Sequence, residues 1–267
     1  MHVGASTSIE WTNATWNPWR GCTKVSPGCA SCYMFRDQVR YGHDPTVVVR
    51  AASATFSAPL KWKEPKLVFT CSWSDFFHED ADQWRAQAWD IIRATPHLTY
   101  QILTKRPERF REGLPVDWGN GWPNVWLGVS TENQRMFDVR IGLLIGARVR
   151  LRFLSIEPLL GPVSLFPWLA KAQCAHGNFT EPDSPMDDCN CGFPTRSSID
   201  WVIVGGESGG RPGHPPRVMK PEWTRSIRDE CVTAGVPFFF KQWGGKFPGG
   251  PALLDGREWR QMPAVTP

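Results

Sequence analysis

The sequence predicts an α/β protein built on a full or partial (β/α) barrel, TIM-barrel-like, as one domain spanning residues 1–267. Three observations lead there. Short apolar runs of β-type residues recur along the chain, and each stops abruptly at polar or charged residues. The runs are continuously apolar instead of alternating, which marks strands of a parallel sheet covered on both faces. Stretches with apolar residues at helical spacing lie between them. In such a fold the polar strand ends gather at one mouth, where chemistry is done.

The first run, Ser8-Ile9-Glu10-Trp11-Thr12, is a poor strand and leads into a cysteine-rich loop. LVFTC (67–71) ends in SWSDFFHED, LTYQILT (98–104) in KRPERF, and NVWLGVS (124–130) in TENQ. VRLRFLS (149–155) ends in IEPLLGP, DWVIVGG (200–206) in ESGGRPG, and VPFFFKQ (236–242) in WGG. Helical spacing marks WRAQAWDIIRAT (84–95) and PEWTRSIRDECVTAG (221–235), the second closing on Gly235 with Cys231 in its core-facing stripe. Residues 171–198 break the rhythm and read as a Cys-containing insertion, and 244–267 as a Gly- and Pro-rich wrapping tail.

At 267 residues, 21% charged and 41% hydrophobic, the composition is that of an ordinary globular protein able to fold without staples. A net charge of +4 is compatible with nucleic-acid contact but falls short of a strongly basic footprint. The 15 tryptophans serve a core, and an aromatic rim would suit stacking on nucleobases. No charged-then-apolar leader opens the chain and no apolar run approaches bilayer length, so a cytoplasmic protein with no membrane partner is expected. In that reducing compartment the 8 cysteines read as metal ligands or core residues before disulfides.

Cys22, Cys29 and Cys32 share one short loop, NPWRGCTKVSPGCASCY, with spacing C-x6-C-x2-C. Three readings fit the residues: a structural zinc with His43 as fourth ligand, inert reduced thiols, or a 4Fe-4S cluster with one open iron. Cys174, His176, Cys189 and Cys191 in the insertion offer a second ligand set for a zinc, with a plain surface insertion as the alternative. Asp75, His78, Glu79, Lys105, Arg106, Glu132, Glu157, Glu207, Lys241 and Gln242 all follow or end predicted strands. Glu157 and Glu207 suit a ligand amine or ribose hydroxyls, while Lys105, Arg106 and Lys241 suit a carboxylate or phosphates. Ser208 and Gly209 offer backbone donors, without the G-K-[ST] ending of a P-loop. Cys71 is either a pocket wall or a fourth cluster ligand.

The loop resembles that of radical S-adenosylmethionine (SAM) enzymes, above all the branch related to spore photoproduct lyase. Asn17, Pro18, Trp19, Arg20, Gly21, Cys22, Cys29, Cys32 and Tyr33 carry the match. The chain as a whole is similar to a phage-associated, radical-SAM-like family with a three-cysteine motif. That similarity rests on SIEWT-ATWNP, SDFFHED, LTKRPER, WLGVS, EPLLGP, VGGESG and FFFKQWG in order. The usual spacing is C-x3-C-x2-C, so this loop carries three extra residues between Cys22 and Cys29. The Gly-Gly-Glu stretch also ends a late strand here instead of the second.

The resemblance implies a 4Fe-4S cluster on Cys22, Cys29 and Cys32, cleavage of SAM to an adenosyl radical, and an electron donor of flavodoxin or ferredoxin type. The family's Gly-Gly-Glu role does not transfer by position, and the candidates for the SAM site are the groups at or near the predicted strand ends and the loop: Tyr33, Ser72, Asp75, Ser130, Glu132, Glu157, Gly205, Gly206, Glu207 and Gln242. Lys105, Glu157 and Lys241 are the expected catalytic residues. The expected substrate is a nucleobase in DNA or RNA, for repair or modification, with a partner protein as a further expectation. The alternative is a nucleic-acid-binding protein whose metal site is purely structural.

Overall fold

The computed structural model describes residues 6–169, 199–210, 215–245 and 252–264. β1 (Ala14–Thr15) and β2 (Trp19–Arg20) come first, then α1 (Tyr33–Arg40), β3 (Val49–Arg50) and α2 (Ser53–Phe56). A regular alternation follows: β4 (Lys66–Thr70), α3 (Asp82–Ala94), β5 (Leu98–Thr104), α4 (Phe110–Gly113), β6 (Val125–Ser130), α5 (Gln134–Gly146) and β7 (Leu151–Ile156). It resumes with β8 (Trp201–Gly205), α6 (Pro221–Ala234) and β9 (Phe238–Gln242), and a hairpin of β10 (Leu253–Leu254) and β11 (Arg257–Glu258) closes the series.

Seven strands form one sheet in the order β1-β4-β5-β6-β7-β8-β9, with every neighbouring pair parallel. The sheet curls into a half-barrel, so the α/β class and a partial barrel are what the sequence led us to expect. Strand side chains alternate between two apolar layers. Val68, Tyr100, Ile102, Leu127, Leu154, Val202 and Phe240 face out against Trp89 and Ile92 of α3, Phe137 and Ile141 of α5, and Ile227 and Cys231 of α6. Phe69, Trp126, Phe153, Trp201, Ile203 and Phe239 face in and form a second cluster with Trp11. Two covered faces explain the continuous apolar runs.

The first strand is shorter and later than its expected span of Ser8–Thr12. Thr12 N–H closes a turn on Ile9 O (3.3 Å), and Trp11 turns into the inner cluster instead of the ladder. Asn13 Oδ1 then accepts from Leu67 N (2.8 Å), which sets Ala14 beside Val68 and Thr15 beside Phe69. Helices α3 and α6 lie where the spacing predicts them. Gly235 ends α6 with φ 68, the left-handed conformation a glycine adopts without penalty. α5 was not foreseen, because its GLLIG segment is apolar on every face. Its start is fixed by Asn133, whose side chain accepts from Met136 N at 3.0 Å. The expected insertion, 171–198, lies outside the described residues.

In the described part of the tail, Phe240 N donates to Trp259 O (2.8 Å) and Gln261 N to Phe238 O (3.2 Å), so this segment pairs with the outer edge of β9. Arg260 there forms an ion pair with Glu10 from the start of the chain. None of the 15 tryptophans is exposed. Of the expected aromatic rim, exposed Tyr41 stacks with half-buried Trp73, ring centroids 6.0 Å apart, and Tyr33 and Phe35 also reach the cavity. Among the described residues, no helix is long and apolar enough to cross a membrane.

Candidate functional site

Steps of two along the strands carry the inward-facing core out to a cavity at the strands' C-terminal ends. Phe69 leads to Cys71, Leu103 to Lys105, Phe153 to Ser155 and Glu157, and Phe239 to Lys241. The cavity measures about 440 Å³, within the usual range for small-molecule sites, about 300–1,000 Å³. Trp11, Phe69 and Leu103 give it an apolar floor. Cys22, Cys29 and Cys32 line it from the loop after β2, with Tyr33 at the start of α1.

The polar wall is internally paired. Lys241 Nζ lies 3.0 Å from Glu157 Oε1, and Ser155 Oγ donates to Glu157 Oε2 at 3.5 Å. Lys105 Nζ donates to Ser130 Oγ (3.1 Å), and Tyr33 OH to Ser72 O (2.7 Å). Gln242 Nε2 donates to Gly206 O (3.0 Å), which leaves Gln242 Oε1 buried without a partner. Gly205 does not line the cavity. A Cβ there would stand 2.3 Å from Glu157 Oε1, so its bare backbone makes room for that carboxylate. A Cβ on Gly206 would meet Trp243 O at 2.0 Å. The two glycines let β8 and β9 close up beside the cavity.

Asp75 and Arg106 are buried beneath the loop. Asp75 accepts from Phe77 N (3.0 Å), Thr104 Oγ1 (2.6 Å) and Lys105 N (2.9 Å), and its carboxylate lies 3.5 Å from Arg106. Arg106 donates to Cys22 Sγ (3.5 Å), Thr23 O (3.1 Å) and Thr23 Oγ1 (2.6 Å). His78 is fully buried, and its Nδ1 accepts from Asp80 N at 3.2 Å, so Nε2 carries the proton toward Thr23 Oγ1, 3.1 Å away. Burial, aided by the Arg106 cation, holds this imidazole below its usual pKa. Burial pushes the Cys22 thiol up to about 11 against the pull of Arg106, and raises Cys32 against Lys105. Cys71 is buried and rises well above the ordinary thiol value for the same reason.

Residues 6–263 match the family described as a protein of unknown function, DUF5131. The chain belongs to that family. Among curated proteins and solved structures, nothing matches it. The cavity therefore speaks for this DUF5131 chain through its own chemistry. Cys22, Cys29, Cys32, Tyr33, Ser72, Asp75, Lys105, Ser130, Glu157, Gly206, Glu207, Lys241 and Gln242 all line it. His43, the candidate fourth zinc ligand, does not. Glu132 does not either: it lies under the loop, where its carboxylate accepts from Gly28 N (3.0 Å) and pairs with Arg140 (2.9 Å). Burial alone would raise the Glu132 carboxyl, yet bonds from Ser26 and Gly28 and the Arg140 charge hold it below the usual value. Glu207 is likewise engaged by Arg217, with Nε at 3.0 Å and the backbone N at 2.9 Å. Cys174, His176, Cys189 and Cys191 lie outside the described residues.

The donor set suits an iron–sulfur cluster in kind: three thiols on one cavity wall, with Arg106 and Lys105 close enough to offset negative charge. Among the described residues, no group of three or more His, Cys, Asp or Glu side chains is arranged to hold a metal ion. Sequence reasoning missed Gly28, Arg140 and Arg217. Gly28 sits inside the cysteine motif and could have been weighed as a close-approach glycine. The two arginines carry no sequence signal, since their partners are set by tertiary packing.

Proposed function

We propose that this protein is a radical-SAM-like iron–sulfur enzyme acting on a nucleobase in DNA or RNA, and that its half-barrel is an incomplete TIM-type barrel. One observation carries the reading: the C-x6-C-x2-C cysteines and the polar ends of β5, β6, β7 and β9 line the same cavity. Cys22, Cys29 and Cys32 hold the cluster. When bound, the cluster supplies the one-electron reduction that cleaves SAM, the electron coming from a flavodoxin- or ferredoxin-type donor. Glu157 accepts from a ligand amine, while Lys105 and Lys241 meet a carboxylate or phosphate. The apolar floor of Trp11, Phe69 and Leu103 keeps water from the reacting end. At the rim, Trp73 lines the cavity and stacks on exposed Tyr41, a platform suited to a base.

Anaerobic purification with iron and sulfide analysis tests this. The expected result is a cluster whose electron paramagnetic resonance signal shifts on adding SAM, and which Cys29→Ala abolishes. Zinc in place of iron, or a cluster indifferent to SAM, would leave a nucleic-acid-binding protein with a structural metal site.

A further inference from the structure

We propose that three carboxylate–arginine pairs fix the backbone of the cysteine loop on the strand ends before any ligand arrives. Arg106, Glu132 and Arg217 are then positioning residues for Cys22, Cys29 and Cys32. Each pair grips a different part of the loop. Past β4 and β5, the Asp75–Arg106 pair holds its entrance through Thr23 O (3.1 Å) and Thr23 Oγ1 (2.6 Å). Past β6, the Glu132–Arg140 pair holds its middle through Gly28 N (3.0 Å) and the Ser26 hydroxyl. Past β8, the Glu207–Arg217 pair holds its far side, Arg217 donating to Pro27 O (3.0 Å) and Glu207 accepting from Ser31.

Two facts separate this from ordinary loop packing. Glu132 is fully buried and Arg140 nearly so, and burying charges costs as much desolvation as the attraction returns, so such a pair is a weak device for stability alone. Besides Arg140, the Glu132 carboxylate takes two bonds from the cysteine loop, from Gly28 N and the Ser26 hydroxyl. Gly28 is also fitted to it, since a Cβ there would stand 3.0 Å from Glu132 Cδ. The backbone is thus held at Thr23 O, Pro27 O and Gly28 N, and the Ser26 and Ser31 hydroxyls tie the loop to the same carboxylates.

The inference stands whether the sulfurs take iron, zinc or nothing, and the test needs no metal. Hydrogen–deuterium exchange is followed on the full metal-free chain. The expected result is a Gly28 amide exchanging at least about tenfold more slowly than amides of exposed loops. Glu132→Ala and Arg217→Ala should each erase that difference across residues 26–32 while β5 and β6 keep their protection. Glu132→Gln retains an oxygen for the Gly28 N–H and should restore much of it, which a general loss of stability would not do. If Glu132→Ala does not fold, Arg217→Ala decides alone, because that side chain is 40% exposed. A wild-type loop that exchanges freely, or variants that leave its exchange unchanged, would overturn the proposal. Adding ferrous iron and sulfide afterwards reads the enzymatic assignment separately: no uptake there leaves the metal-free exchange result intact.

Discussion

Arg106 follows the LTYQILT strand in sequence and looks like a ligand-binding cation there. It does line the cavity, but packing also makes it a buried strut: it is 3% exposed and joins Asp75 to Cys22 and Thr23. Removing it strands the Asp75 carboxylate in a buried site. Arg106→Ala should therefore lower the unfolding free energy by about 3 kcal/mol in urea titrations, with part of the loss recovered in the Arg106→Ala/Asp75→Ala double variant. Equal losses in the single and double variants would remove the strut role. Glu132 departs further from its expected place, since it does not line the cavity. A carboxylate after a strand was legible as a site group, but whether it faces cavity or loop depends on a glycine 104 residues away.

Among elements, β6 is wholly enclosed, with all six residues buried. Gly128 at its centre lies under the Phe153 ring of β7, and a Cβ there would come within 2.6 Å of three ring carbons. Gly128→Ala should cost about 1–3 kcal/mol by overpacking, measured by chemical denaturation with an unchanged slope. The β10–β11 hairpin depends instead on charge. Asp255, at φ 54 in its turn, pairs with Arg225 and Arg228 of α6. Those bonds lower its carboxyl from the model-peptide range to about 2. Because the folded value is the depressed one, the stabilisation is present above about pH 4 and fades as pH falls toward 2. Asp255→Asn should thus melt below wild type at pH 6, with the gap closing by pH 2. A gap independent of pH would show that the ion pairs are idle.

At the scale of the whole molecule, an open half-barrel has two exposed edges, and the tail covers the one at β9. Deleting residues 252–267 would uncover the β9 edge and lose the Trp259 and Gln261 pairings. The truncated chain should melt roughly 10 °C lower and self-associate on gel filtration, since an unpaired apolar edge templates further strands. A monomer of unchanged melting temperature would contradict that role for the tail. The sequence alone determined the parallel α/β plan, six of the seven strands to within two residues at each end, and the gathering of strand-end polar groups. These follow from hydrophobic runs and their abrupt ends, which are local properties of the chain. Only tertiary structure decided that the first strand begins at Ala14, that Tyr41 and Trp73 form the rim stack, and that Glu132, Arg140 and Arg217 serve the cysteine loop. Those outcomes depend on pairings between residues up to 190 positions apart, Arg217 with Pro27 the longest, and no local pattern encodes such a distance.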